Sequence, residues 1–395
     1  MTEVQNGAIR IGVVDERKGV RMTKRRLGLA GIAVLVGLLV AACGGKKESS
    51  ESEGEGGGKT TKVTLQLKWV TQAQFAGYYA AKAKGYYDKE GLDVNLKVGG
   101  PSITPEQVVL GKQAEFGVDW LPSLLASRDK GQDLVNIAQV FTRSGMTELT
   151  WKDSGITTIG QMAGKKVGVW CCGNENELYA ALNKNNIDPK TGVTIVNQPF
   201  NMNLFLNKDV EAAAAMTYNE LAQVLETKNP KTGQLYKPSD LNVIKMEDVG
   251  TGMLEDGVFV RGDWIKDKDN QAVAKRFLAA SFKGWVYCRD HLQECVQIVL
   301  NNGPTLGKGH QTWQMNEINA LVWPAPDGIG VMNTAAFDRT ANIAKTFKVI
   351  TKAPSPDAYR TDIAQDAVDE LDADGVDVHG NDWQKETIKV TPGGS

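Results

Sequence analysis

The chain has 395 residues, 42% of them hydrophobic and 23% charged, with 45 Lys+Arg against 47 Asp+Glu. That length allows two domains, and the composition excludes a mini-protein, a collagen-like fibre and a wholly disordered chain. A net charge of −2 offers no cationic excess for nucleic acid, and five cysteines in this length do not make a disulfide scaffold.

Residues 27–42 (LGLAGIAVLVGLLVAA) are uncharged and almost wholly apolar. Lys24, Arg25 and Arg26 precede them, and Cys43 follows at once. A basic start, an apolar core and small residues before a cut describe a secretory signal. The run is short for a membrane span, which takes about 20 residues. Residues 39–43 (LVAAC) resemble the bacterial lipobox, in which the Cys thiol is lipidated and becomes the mature N-terminus. Residues 1–42 are therefore expected to be a signal peptide, for which Met22 would be the natural start. Residues 43–62 are rich in Gly, Ser and Glu and are expected to be a flexible tether carrying lipid on Cys43. The expected location is the extracytoplasmic face of the cell membrane.

Residues 63–68 alternate apolar and polar, a strand signal, and 75–84 carry a helical pattern closed by Gly85. Strands at 92–98, 116–118 and 134–140 follow, with helices at 105–110 and 121–128 between them. A second series has strands at 166–171, 193–197 and 212–216 and helices at 175–185, 203–207 and 218–228. Such alternation predicts parallel sheets covered on both faces. After a strand near 258–260 come helices at 271–289, 292–301, 312–321 and 334–348. The expected body is α/β and two-lobed: 63–148 with 258–350, then 149–257, with 351–395 as a C-terminal extension. Ligands of such sheets bind beyond the carboxyl ends of the strands, here the cleft between the lobes.

Catalytic signals are weak. His291, His310 and His379 stand alone, without metal-ligand spacing, and no GxSxG, Walker loop or GxGxxG after a strand is present. No metal, cofactor or enzyme activity is expected.

Residues 65–94 (LQLKWVTQAQFAGYYAAKAKGYYDKEGLDV) resemble the opening of solute-binding proteins of ABC importers. They are most similar to the branch that takes thiamine pyrimidine precursors, riboflavin, nitrate or aliphatic sulfonates. Residues 114–120 (AEFGVDW), 165–170 (KKVGVW) and 213–220 (AAAMTYNE) fit the same branch. The resemblance implies a type II periplasmic-binding-protein fold with C-terminal helices, a small-molecule ligand, permease and ATPase partners, and a monomer. One member of the branch, the thiamine-pyrimidine synthase, is an enzyme that holds pyridoxal phosphate on a lysine with a histidine four residues later. Those positions fall on Asp119 and Ser123, and no Cys matches the synthase's cysteine run near residues 250–260.

Four loop tips supply the candidate ligand contacts. Trp69, Gln72, Gln74 and Phe75 lead from the first strand into a helix, and Tyr78 lies one turn on. Flat rings and amides there suit a planar heterocycle, although Trp69 and Phe75 could equally close the first helix. Tyr79 reads as core. Asp119 and Trp120 end the third strand, where Asp119 could accept from a ring N–H or cap the next helix. Gly173, Asn174 and Glu175 follow another strand, and Gly173 allows close backbone approach. Tyr218, Asn219 and Glu220 follow the next; Glu220 could clamp an amino-heterocycle or simply favour the helix dipole. No Lys or Arg is expected at these tips. That favours a thiamine-type pyrimidine or a flavin over an oxyanion. A sensor that signals to a membrane partner is a further reading. Cys288 and Cys295 would be too far apart for a disulfide within one straight helix, but residues 289–294 look like a break that would let them bond. Cys171 and Cys172 are expected to be free thiols.

Overall fold

The computed structural model describes residues 60–393, except Cys172. The signal segment, Cys43 and most of the tether lie outside the described residues. Ten strands form two five-stranded sheets. The first contains β1 (Thr61–Gln66), β2 (Leu92–Lys97), β3 (Phe116–Trp120), β4 (Leu134–Gln139) and β10 (Asp256–Arg261), in the order β2-β1-β3-β10-β4. The second contains β5 (Met146–Trp151), β6 (Lys166–Val169), β7 (Thr194–Asn197), β8 (Ala212–Met216) and β9 (Leu241–Lys245), in the order β7-β6-β8-β5-β9.

The sheets are mixed, which corrects the expectation of parallel ones. β10 runs antiparallel to β3 and β4, and β5 antiparallel to β8 and β9. Each is the strand by which the chain enters a sheet from the other one. It arrives from the opposite end and so runs against its neighbours. β5 and β9 had no strand signal. All six residues of β5 (MTELTW) are buried, so no alternation marks it.

Helices cover both sheets. Small residues let them approach: a Cβ on Gly284 of helix Lys268–Asp290 would lie 2.0 Å from the Gly77 carbonyl oxygen. Lining that contact are Tyr78, which meets Trp285 edge-on at 5.7 Å, and Tyr87, stacked at 5.5 Å on Phe277. Helix Asp362–Ala373 packs on the same long helix, with Lys275 paired to Glu370 at 2.8 Å. This helix of the C-terminal extension is thus built onto the first sheet's side. The long helix ends at Asp290, and helix Leu292–Asn302 starts beyond His291. That break brings Cys288 and Cys295 to a Cα separation of 5.1 Å, where they form a disulfide. Cys171 is also disulfide-bonded, which corrects the expectation of a free thiol there. Cys172 lies outside the described residues.

Candidate functional site

The two crossings between the sheets, at residues 140–145 and 246–255, set the carboxyl ends of β1, β3, β6 and β8 face to face. Between them lies a narrow cavity, lined by Lys68, Trp69, Gln72, Gln74 and Trp120 from one side and Trp170, Asn174, Met216, Tyr218, Asn219 and Glu220 from the other. Aromatic edges join the sides. Trp69 meets Trp170 with ring centres 6.3 Å apart and Phe200 at 5.6 Å. Backbone contacts join them too: Ser123 Oγ donates to the Gly173 carbonyl at 3.2 Å, and Trp313 Nε1 to the Thr217 carbonyl at 3.0 Å. Gly173 has φ +109°, and a Cβ there would lie 2.3 Å from Ser123 Oγ. Its glycine therefore serves the closure of the two sides.

The candidate residues separate into two groups. Trp69, Gln72, Gln74, Trp120, Asn174, Tyr218, Asn219 and Glu220 line the cavity. Phe75 and Tyr78 are buried behind it in the core, and Glu175 is spent on the Gly173 N–H at 2.8 Å. Asp119 lies beneath the wall, where its Oδ1 accepts from Lys68 Nζ and from its neighbour's N–H, Trp120, at 2.6 Å. Lys68, Trp170 and Met216 were missed by the sequence reading. Lys68 corrects the expectation of no cation at the loop tips. Its signal was the position just before Trp69, where it reads as a solvent-facing strand residue.

The amides are fixed in a relay. Gln72 Nε2 donates to Gln74 Oε1 at 2.6 Å, and Gln74 Nε2 donates to Asp256 Oδ2 at 2.9 Å. Opposite, Glu220 accepts from the Met216 N–H at 3.0 Å and from Asn219 Nδ2 at 2.7 Å.

Electrostatically the wall is acidic. Lys68 lies 5.3 Å from the centre of the Trp120 ring. Burial opposes its charge, but the adjacent Asp119 outweighs burial and holds its pKa above the ordinary value. Lys68 and Asp119 therefore neutralise each other. Burial, then the charge of Asp119, pushes Glu106 well above the carboxylate range, so it stands protonated beside that pair. Burial also raises Glu220 and Asp256 to about 7 each. At the crossings Ser144 Oγ donates to Glu177 Oε2 at 2.7 Å and lies 3.1 Å from Glu255 Oε1. Burial raises Glu177 to about 8.

These shifts predict a stability profile. In the unfolded chain the three carboxyls titrate near pH 4. Between there and about pH 8 the folded protein binds more protons than the unfolded one, so stability falls as pH rises. Without ligand, urea unfolding should show the protein more stable at pH 5 than at pH 8, by a few kcal/mol. A flat or rising profile would contradict the assignment of these groups.

Among the described residues no group of three or more His, Cys, Asp or Glu could hold a metal ion, and no helix is long and apolar enough to cross a membrane. Solved structures share the fold. A Bordetella bronchiseptica protein aligns with a TM-score of 0.62 over 80% of this chain and 99% of its own, at 14% identity. The periplasmic aliphatic sulphonate binding protein of Escherichia coli aligns at 0.57 over 84% and 97%, also at 14% identity. The fold is the two-lobed periplasmic-binding-protein fold that the sequence predicted. Among curated relatives, a 4-amino-5-hydroxymethyl-2-methylpyrimidine phosphate synthase of Saccharomyces cerevisiae is 31% identical over 111 residues, 28% of this chain and 32% of that protein. The match thus spans about a third of the relative's length. The NMT1/THI5-like family model matches residues 72–295, more than half of the chain and including most of the cavity wall, so the chain belongs to the NMT1/THI5-like family.

Proposed function

We propose that this chain is the extracytoplasmic ligand-binding component of an ABC importer. It encloses a small amino-heterocycle of the thiamine-pyrimidine type between its lobes and presents it to a permease. The observation that carries the ligand reading is the wall itself: aromatic rings and amides around Glu220, with the one lysine already neutralised by Asp119. The space left between the lobes for the centre of a water-sized sphere is about 20 Å³, room for little more than a water molecule, so the lobes must part to admit any ring. A ring N–H or exocyclic amine would meet Glu220, and edge or face contacts with Trp69 and Trp170 would hold the ring.

A second reading, an oxyanion such as nitrate or a sulfonate, is favoured by Lys68 and by the sulphonate-binding neighbour of the fold. Against it, an anion would meet Glu220 with no free positive group to offset it. The synthase reading is supported by the relatives' names, but Lys68 is engaged by Asp119 and Ser123 by the Gly173 carbonyl. Calorimetry with 4-amino-5-hydroxymethyl-2-methylpyrimidine, nitrate and ethanesulfonate separates these readings. The pyrimidine should bind at micromolar or tighter Kd and the two anions not measurably. Tight binding of either anion would overturn the proposal.

The lipid anchor is part of the same reading. Cys43→Ala should block lipid labelling and leave unprocessed precursor or released protein. Unchanged incorporation of labelled palmitate would contradict it.

A further inference from the structure

The last described residues of the chain run across both sides of the cleft. Residues 377–380 are stitched to the first sheet's side. Arg289, near the end of helix Lys268–Asp290, donates to the Asp377 carbonyl at 2.8 Å and pairs with its carboxylate at 3.1 Å. The chain then lies along helix Lys308–Val322. That helix is held to the first sheet's side, because Gln311 and Gln314 both accept from the Ala73 N–H, at 2.7 and 2.9 Å.

One residue of the helix clamps the passing chain. Asn316 Nδ2 donates to the Glu386 carbonyl at 2.7 Å, and its Oδ1 accepts from the Glu386 N–H at 3.0 Å. Asn316 is buried, and Lys385 pairs with Glu317 beside it. Beyond the clamp, Ile388 and Val390 are half-buried while Thr387, Lys389 and Thr391 are exposed. That is the alternation of an extended segment laid on a surface. Val390 reaches the other side. With Trp313 it packs against the apolar cluster that includes Leu149, Trp151, Phe205, Ala213 and Leu241, all from the second sheet and its helices.

We propose that residues 381–391 are a strap across the two lobes that favours the closed cleft. This rests on the reading that the lobes close on a ligand. Four residues separate Glu386 from Val390, a reach of at most about 14 Å, so the strap has little slack. When the lobes part, either the Asn316 clamp breaks or Val390 leaves the second lobe's cluster. Leaving the cluster exposes apolar surface that closure covers. The strap touches none of the cavity-lining residues named above, so its bias toward closure adds to whatever a ligand contributes.

Amide hydrogen exchange of the full chain without ligand tests the strap. Lys385→Glu with Val390→Asp places a like charge beside Glu317 and a carboxylate against the apolar cluster. A second variant ends the chain at Trp383. In both, the amides of the loop tips 69–75, 171–175 and 217–220 should exchange about fivefold faster than in wild type, the effect of losing one half-buried valine. β1 and β8 should exchange as before. Unchanged tips in either variant would overturn the proposal. So would faster exchange spreading through β8, which would make Val390 part of the second lobe's core and nothing more. Adding 4-amino-5-hydroxymethyl-2-methylpyrimidine should slow the same tips in wild type. If it does not, the ligand reading fails, and the comparison made without ligand still decides the strap.

Discussion

Asp119→Ala should destabilise the protein by about 3–5 kcal/mol, the usual cost of leaving a buried charge without its partner. Lys68 is 5% exposed and its ammonium is held by Asp119, with the protonated Glu106 beside them. Removing the carboxylate strands that ammonium under Trp120. Replacing the pair together, as Lys68→Met with Asp119→Leu, should recover most of the loss, because two apolar side chains need no solvation. Urea unfolding of the two variants measures both effects. Equal stability of wild type and Asp119→Ala would show that Lys68 finds water or another carboxylate, and the neutral-pair account of the wall would fall.

Trp69→Ala should weaken pyrimidine binding by at least about tenfold. Trp69 does two things. It supplies an aromatic contact worth about 0.5–1.5 kcal/mol beyond area burial. It also bridges the lobes through Trp170 and Phe200, so its loss opens the mouth of the cavity. Glu220→Gln should act on the ligand's donor instead and cost about 1.5–3 kcal/mol, the worth of a hydrogen bond to a charged group. Calorimetry on both variants, each with a circular-dichroism check of the fold, gives the comparison. Two variants that bind like wild type would place the ligand elsewhere.

Much of this was readable from local pattern. Residues 92–98 announce β2 by alternation, and Gly85 closes the first helix as a left-handed residue at φ +68°. The four loop tips followed from strand-to-helix order alone, because the cleft lies at the carboxyl ends of the strands. The Cys288–Cys295 bond was legible because residues 289–294 could not continue a straight helix. What stayed hidden depends on pairing between distant segments. β10 enters the first sheet antiparallel between β3 and β4, a position no local period encodes. Lys68 and Asp119 are 51 residues apart, so the cancellation of their charges is visible only in three dimensions. His310 looked like an isolated histidine, since its partners Glu226 and Asn219 lie 84 and 91 residues away. Phe75 and Tyr78 were placed on the right segment but on the wrong face of it, because that helix is buried almost all round.

The central claim is that the cleft holds a small amino-heterocycle rather than an anion. Mass spectrometry of the molecule released when the purified protein is denatured tests it most directly. The account predicts a single-ring, nitrogen-containing compound with an exocyclic amine, present in near-stoichiometric amount. Release of a sulfonate, nitrate or a flavin instead would contradict it.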